Sequence, residues 1–327
     1  MRVMGEPFSC LILIPSGLVI QGASLIPASV KIPWRGSLFS GGYFRQRASQ
    51  RHRVRTPGAI SPRFSLGVFG VSLDSAVVRD TAATSLVLAG AYSLVLCFDS
   101  LTEKGLIEQI IPPKESFSPK LSRKLVHILS GLIFMTSWPL FSSSTEARFF
   151  ASVVPLANML RLLFYGLSLA KDESLVKSVT REGKPEELLR GPLYYVLVLM
   201  CSALFFWRKS PVGVISLTMM CAGDGVADIM GRRFGTQKLP YNEQKSWVGS
   251  ISMFMFGSLS SLGMLFYFHS LGYFPLNWQN TASNVALVSL IATMVESLPI
   301  AKAIDDNISV PLISMLLAML LFEHQPH

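Results

Sequence analysis

Met219–Ser250 reads MMCAGDGVADIMGRRFGTQKLPYNEQKSWVGS; it begins inside one apolar run and ends at the start of the next. Asp224 and Asp228 fall where a membrane-spanning helix should be oily, and their four-residue spacing puts both on one helical face, about one turn apart. A carboxylate at that depth costs about 3 kcal/mol on insertion scales, so it is expected to face a polar cavity or a partner and is first a functional candidate. Gly223, Gly225 and Gly231 remove bulk around the pair, letting another backbone or a ligand come close. Arg232, Arg233 and Lys238 follow at once, and Lys245 precedes Ser246, Gly249 and Ser250. Carboxylates that can hold a hard cation, followed by cations and small hydrogen-bonding residues, predict a grip on a metal-bound polyphosphate.

Composition agrees with a membrane setting for this stretch. Of the 327 residues 50% are hydrophobic and only 15% are charged, with mean hydropathy +0.45. A soluble domain averages about 25% charged residues, so the chain reads as an integral membrane protein. The formal net charge of +9 comes largely from the N-terminal third and from particular connections. It speaks to targeting and topology, not to nucleic acid. Cys97, Cys201 and Cys221 lie in apolar runs and Cys10 near the N-terminus, with no spacing that suggests a disulfide framework or a zinc site.

Residues 1 to about 70 read as a targeting leader. Glu6 is the only acid before Asp74, while Lys31, Arg35, Arg45, Arg47, Arg51, Arg53, Arg55 and Arg63 are scattered among serines, glycines and prolines. An Arg- and Ser-rich, acid-poor leader is the pattern of an organelle transit peptide, expected to be disordered. The rival is a secretory signal on Cys10–Ile20, whose apolar run is interrupted by Pro15 and Gly17.

Residues 71–327 alternate apolar runs with short polar connections. The predicted spans are Thr81–Phe98, Lys124–Phe141, Ala147–Ala170, Pro192–Trp207, Pro211–Met230, Val248–Leu271, Asn284–Ile304 and Ile308–Phe322, giving an all-α polytopic bundle of about eight transmembrane helices. If every run crosses, the connections after the first, third, fifth and seventh share one membrane face. That face collects Arg123 and Lys124, then Lys184 and Arg190, then Arg232 to Lys245, then Lys302 with Asp305, Asp306 and Asn307. By the positive-inside rule it is the cytoplasm-like side, which in a plastid is the stroma.

Each candidate also has a bland reading. Asp224 and Asp228 can be a polar pair satisfied by Arg161 or by backbone, and Arg232 and Arg233 can simply anchor a helix end to headgroups. Arg123, Lys124 and His127 lie within about one helical turn and suit a phosphate or hydroxyl contact, although a single His near an interface is more often packed. Arg190 and Gly191 before Pro192 can present a phosphate-binding turn. Glu296 offers a metal ligand or internal hydrogen-bonded glue, and Asp305, Asp306 and Asn307 offer further oxygen ligands or a helix cap.

Five motifs in one order, RKLVHILSG (Arg123–Gly131), LLRGPLYY (Leu188–Tyr195), CAGDGVADIMGRRFG (Cys221–Gly235), KSWVGS (Lys245–Ser250) and VESLP followed by DDNISVPL (Val295–Leu312), resemble the plant phytol kinase and farnesol kinase family. More distantly they are similar to the dolichol kinases. SSSTEARFFASVVPLANMLRLL and KSVTREG, between Leu129 and Gly183, look closer to phytol kinase than to farnesol kinase. The resemblance covers about residues 80–322. It implies a membrane enzyme that phosphorylates a long isoprenoid alcohol with a nucleoside triphosphate, commonly CTP, and a plastid location in which phytol is salvaged toward tocopherol. In the dolichol kinase relatives the pattern resembling Gly223, Asp224, Ala227, Gly231 and Gly235, with Lys245, Ser246, Gly249 and Ser250, is associated with CTP binding. Those relatives usually have Glu-Gly after the Lys-Thr or Lys-Ser, whereas Trp247 and Val248 stand here before Gly249.

The resulting expectation is a prenyl alcohol kinase acting on phytol taken from the bilayer. Asp224 and Asp228 are its expected catalytic carboxylates, and Asp224, Asp228 and Glu296 its expected ligands for Mg²⁺ or another divalent ion. Gly223, Gly231, Arg232, Arg233, Lys245, Ser246, Gly249, Arg123, Lys124, His127 and Arg190 are expected around the nucleotide phosphates. Neither a GxxxxGK[ST] loop nor an HRD and DFG pair occurs, so the standard soluble kinase folds do not apply. Farnesol or geranylgeraniol as acceptor, a CDP-alcohol phosphotransferase and a secondary transporter are the alternatives. The transporter often carries a two-fold internal repeat, and GDGVAD has no counterpart in the first half.

Overall fold

The computed structural model describes residues 75–103, 118–170, 176, 179–180, 183–299 and 305–322. The expected leader, residues 1–70, lies outside them, as does Lys302. All described residues belong to one compact unit, Ser61–His327.

The apolar runs fold as helices. They are α1 (Ser75–Glu103), α2 (Ser118–Thr136), α3 (Ala147–Gly166), α4 (Gly191–Phe205), α5 (Pro211–Thr218), α6 (Gly225–Phe234), α7 (Trp247–Ser270), α8 (Trp278–Ser297) and α9 (Asp306–Phe322). Met219–Asp224 joins α5 to α6 as a π-helical segment, and short 3₁₀ turns occupy Trp138–Leu140 and Pro185–Leu189. Local chemistry sets several starts. Ser210 accepts from the Val212 N–H ahead of Pro211, Ser246 accepts from Gly249 N–H, and Asn277 accepts from Gln279 N–H.

Among the described residues, five helical stretches are long and apolar enough to cross a membrane: Ser75–Phe98, Ala147–Gly166, Pro185–Phe205, Pro211–Phe234 and Trp247–Ser270. The expected count of about eight is therefore met only in part. The other three runs are helical but fall short for visible reasons. Arg123 and Lys124 load the start of α2, Gln279, Asn280 and Asn284 that of α8, and α9 has 17 residues. Large side chains such as Leu86, Phe149, Phe205, Leu259, Phe266 and Leu320 are exposed, a surface that suits lipid and not water.

The described residues are not wholly helical as expected: an antiparallel hairpin of β1 (Lys238–Leu239) and β2 (Asn242–Ser246) connects α6 to α7. Asn242 Nδ2 donates to the Ser297 carbonyl at 3.0 Å, which ties the hairpin to the end of α8. At the opposite end of the bundle, Asp80 accepts from the Ser142 N–H and hydroxyl, and Arg208 donates to the carbonyls of Trp138, Phe141 and Ser142. These two buried charges fix the connection between α2 and α3 by satisfying its backbone.

The two ends are thus chemically different. Lys124 meets Asp224, Lys245 meets Asp306, and Asn307 Nδ2 donates to the Gly191 carbonyl at 3.3 Å. Four connections far apart in sequence converge at one end, as strict alternation of the runs requires.

Candidate active site

Small residues let the converging helices approach. A Cβ added at Gly131 on α2 would overlap the Cys221 sulfur, and one at Gly225 would overlap Ile128. With glycine at both points α2 lies directly against the π-helical segment, and Lys124 reaches Asp224. A π turn inside an α-helix shifts the register of side chains, and such segments recur at functional sites. On the far side, a Cβ at Gly223 would stand 3.5 Å from Gly257 Cα of α7. Asp224 is held from both flanks.

The centre holds five charges. Lys124 Nζ donates to Asp224 Oδ2 at 2.8 Å, with both side chains almost wholly buried. Lys245, delivered by β2, donates to Glu296 Oε1 at the end of α8 and to Asp306 Oδ2 at the start of α9, the latter at 3.1 Å. One oxygen from each of Asp224, Glu296 and Asp306 lies within 4.8 Å of the others. Three carboxylates therefore face two ammoniums. Burial would lower the Lys245 pKa, but Glu296, Asp306 and Asp224 outweigh it and hold the ammonium above its ordinary range.

This donor set is compatible with a hard divalent cation, which takes carboxylate oxygens. Asp306 Oδ1 is buried and has no hydrogen-bond partner among the described residues, so one ligand atom is left to an external partner. Asp305 does a different job. Its side chain accepts from Asn307 N–H at 2.9 Å and its carbonyl from Ile308 N–H, so it caps α9.

The predicted residues divide into groups. Asp224, Glu296, Lys124 and Lys245 come together. Asp228 is outside the carboxylate cluster; its Oδ1 accepts from Arg232 Nε at 2.7 Å, an i,i+4 pair on the partly exposed side of α6. Arg233 lies at the same helix end, over the Phe234 ring. Gly231, Ser246 and Gly249 form a close crossing: a Cβ at Gly231 would lie 3.1 Å from Ser246 Oγ and 3.4 Å from Gly249 Cα. They pack α6 on α7, and Ser246 spends its oxygen on capping α7.

Arg123, Lys124, His127 and Arg190 line a different space. A cavity of about 830 Å³ opens between α1, α2, α3 and α4. Its polar end carries those four residues with Lys184, Asp305 and Asn307, and its other end is lined by Val87, Phe134, Val154 and Leu199. The His127 ring packs 4.1 Å from that of Tyr195, and its Nε2 lies 3.2 Å from the Met220 carbonyl. Tyr195 Oη donates to the His127 carbonyl at 2.7 Å and bonds Ser130 Oγ at 3.0 Å. Lys124 belongs to both spaces: it lines the cavity and neutralises Asp224.

Two residues carry more weight than the sequence reading gave them. Asp306 could only be told from Asp305 by knowing which one caps α9. Tyr195 stood in a matched motif, but nothing in one dimension pairs it with His127.

A protein of Oryza sativa subsp. japonica described as "Probable phytol kinase 1, chloroplastic" is 62% identical over 251 residues, 77% of this chain and 77% of its own. "Phytol kinase 1, chloroplastic" of Arabidopsis thaliana is 53% identical over 297 residues, 85% of this chain and 94% of its own. "Probable phytol kinase 1, chloroplastic" of Glycine max is 60% identical over 248 residues, 76% of this chain and 79% of its own. No family model matches the chain, and no solved structure does. Identity at this level over most of both partners, on a helical bundle with apolar spans, decides the relationship: the chain belongs to the phytol kinase family.

Proposed function

We propose that this protein phosphorylates phytol with CTP at the stromal face of a chloroplast membrane, in the salvage branch that leads to tocopherol. The observation that carries the reading is Lys124, shared between a cavity that is polar at one end and apolar at the other and a buried cluster of three carboxylates. The kinase class and the chloroplast location accord with the relatives' names, and the apolar spans with a multi-pass membrane protein.

A long isoprenoid alcohol gains about 0.8 kcal/mol per buried CH₂ from lipid, so it stays in the bilayer with its hydroxyl near the headgroups. A cavity with a charged end and an apolar end receives such a molecule without dragging charge into oil. Its volume of about 830 Å³ is in the usual range of ligand sites, about 300–1,000 Å³.

In the transfer the alcohol oxygen forms a bond to the γ-phosphorus of CTP while the bond to the β,γ-bridging oxygen breaks, leaving CDP. The hydroxyl proton must be taken up. Of the three clustered carboxylates, Asp224 is the one joined to the cavity by Lys124, and it accepts that proton or fixes the charge beside it. Lys124, Lys245, Arg123 and Arg190 neutralise phosphate oxygens, with Arg232 and Arg233 on the approach to the site. Asp228 orients Arg232. Asp224, Glu296 and Asp306 would hold Mg²⁺, whose chemistry when bound is to offset phosphate charge. Lys124 and Lys245 offset two of those three negative charges before nucleotide arrives.

The test is a membrane assay in a host lacking the activity, with labelled CTP and phytol. Phytyl monophosphate identified by mass supports the reading. A CDP-linked or diester product would replace it with an alcohol phosphotransferase, and no lipid-soluble product with any nucleotide or prenyl alcohol would end the kinase reading.

A further inference from the structure

The cavity has a floor, and on four helices that floor lies at one level. Going from the charged end, lining residues run out at Val87 on α1, Phe134 on α2, Val154 on α3 and Leu199 on α4. One helical turn farther, Thr84 Oγ donates to the Phe150 carbonyl at 3.1 Å and pins α1 to α3. Trp138, Ala151 and Ala203 at the same depth are completely buried and do not touch the cavity. Phe134 leans on Trp138 edge to face, with ring centres 5.9 Å apart, so its ring is backed by solid core. Beyond Trp138 the carbonyls taken by Arg208 close the end of the bundle. The floor cannot deepen by a rotamer change alone.

We propose that this floor is the site for the distal end of the isoprenoid chain and that Phe134, Val154 and Leu199 select its length. The inference rests on the prenyl alcohol kinase reading. A substrate that moves from bilayer to an apolar cavity exchanges one oily environment for another, so hydrophobic attraction contributes little to choosing between chains. Discrimination must come from fit. From Lys124 to Phe134 the helix rises about 15 Å at about 1.5 Å per residue, a fixed distance between the end where the hydroxyl reacts and the wall where the chain must stop. A chain that is too long cannot bring its hydroxyl to Lys124 without leaving part of itself outside, and a shorter one leaves the floor unfilled. Ile133 and Val196 line the walls nearby but do not close the end.

The experiment compares kcat/KM for phytol, for farnesol, which is one isoprene unit shorter, and for an all-trans prenol one unit longer than geranylgeraniol, in wild type, Val154→Phe, Leu199→Phe and Phe134→Ala. Raising the floor with either phenylalanine should increase the farnesol-to-phytol ratio about tenfold or more, and Phe134→Ala should increase the longer-prenol-to-phytol ratio by a similar factor. Ratios of kcat/KM cancel differences in the amount of folded enzyme, and three variants on separate helices keep the test open if one fails to insert. If all inserted variants lose the alcohols in equal proportion, the floor does not select length and the inference falls. If wild type phosphorylates none of the alcohols, the functional reading falls first, an outcome distinguishable from equal losses in active enzyme.

Discussion

Lys124 and Asp224, 100 positions apart, meet at 2.8 Å with both side chains almost wholly buried, so each charge depends on the other for its place inside the bundle. Removing either alone strands its partner, a loss of about 3–5 kcal/mol for buried pairs. Asp224→Asn should therefore reduce phytyl phosphate formation by about a hundredfold or more, and Lys124→Met should do the same. Thermal stability separates the roles. The Lys124→Met/Asp224→Asn double variant should recover stability relative to Lys124→Met, while activity stays lost.

Asp228 should behave differently. Its pair with Arg232 is a partly exposed i,i+4 contact, worth about 0.2–0.5 kcal/mol. Asp228→Asn is expected to keep its fold and to lose at least tenfold less kcat/KM than Asp224→Asn. Equal losses would move Asp228 into the reacting centre and remove it from a supporting place beside Arg232.

The carboxylate cluster leads to a metal experiment. Chelation should abolish phosphorylation and Mg²⁺ restore it. Asp306→Asn should raise the Mg²⁺ concentration giving half-maximal rate about tenfold, whereas Asp305→Asn, altered at the cap of α9, should chiefly lower the melting temperature. An unchanged Mg²⁺ response in Asp306→Asn would remove that residue from the ligand set.

Gly131 gives a packing test. A methyl group there collides with Cys221 and approaches the Tyr195 hydroxyl, so Gly131→Ala should destabilise the protein by about 1–3 kcal/mol. Cys221→Ala alone should be mild, and the Gly131→Ala/Cys221→Ala pair should regain part of the loss in melting temperature and activity. Absence of any recovery would show that the α2 approach is not limited by that sulfur.

How much of this was legible in one dimension depends on the kind of contact. Hydropathy placed the long apolar helices, because a buried or lipid-facing run must be apolar wherever it packs, but it read Pro211–Met230 as one run where α5, a π-helical segment and α6 follow one another. It overstated the spans, since Arg123 and Lys124 load the start of α2, Gln279, Asn280 and Asn284 that of α8, and α9 is only 17 residues long. The carboxylate at Asp224 was visible by being out of place in its run. Its partners were harder. Lys124, Lys245 and Glu296 each stood in a matched motif, but which cation meets which acid is settled by helix crossings at Gly131, Gly225 and Gly223. The four-residue spacing of Asp224 and Asp228 put both on one helical face, yet Asp228 pairs with Arg232 and stands outside the carboxylate cluster. The cavity had no linear signature, being assembled from one face of each of four helices.

The order of the charges along the chain has a consequence for biogenesis. Lys124 precedes Asp224, and Lys245 precedes both Glu296 and Asp306. A polypeptide made and threaded from its N-terminus thus has each ammonium waiting before the acid it will neutralise emerges. An unpaired carboxylate and an unpaired ammonium cost about the same at the bilayer centre, but lysine can keep its head at the surface on a long stem until needed and a short aspartate cannot. Reversing the sequence order of these charges, for instance by exchanging Lys124 with Asp224, would leave the finished centre with the same pair but ask an early carboxylate to wait a hundred residues for its cation. Yield of inserted protein, more than turnover of what is inserted, is where that difference should be felt.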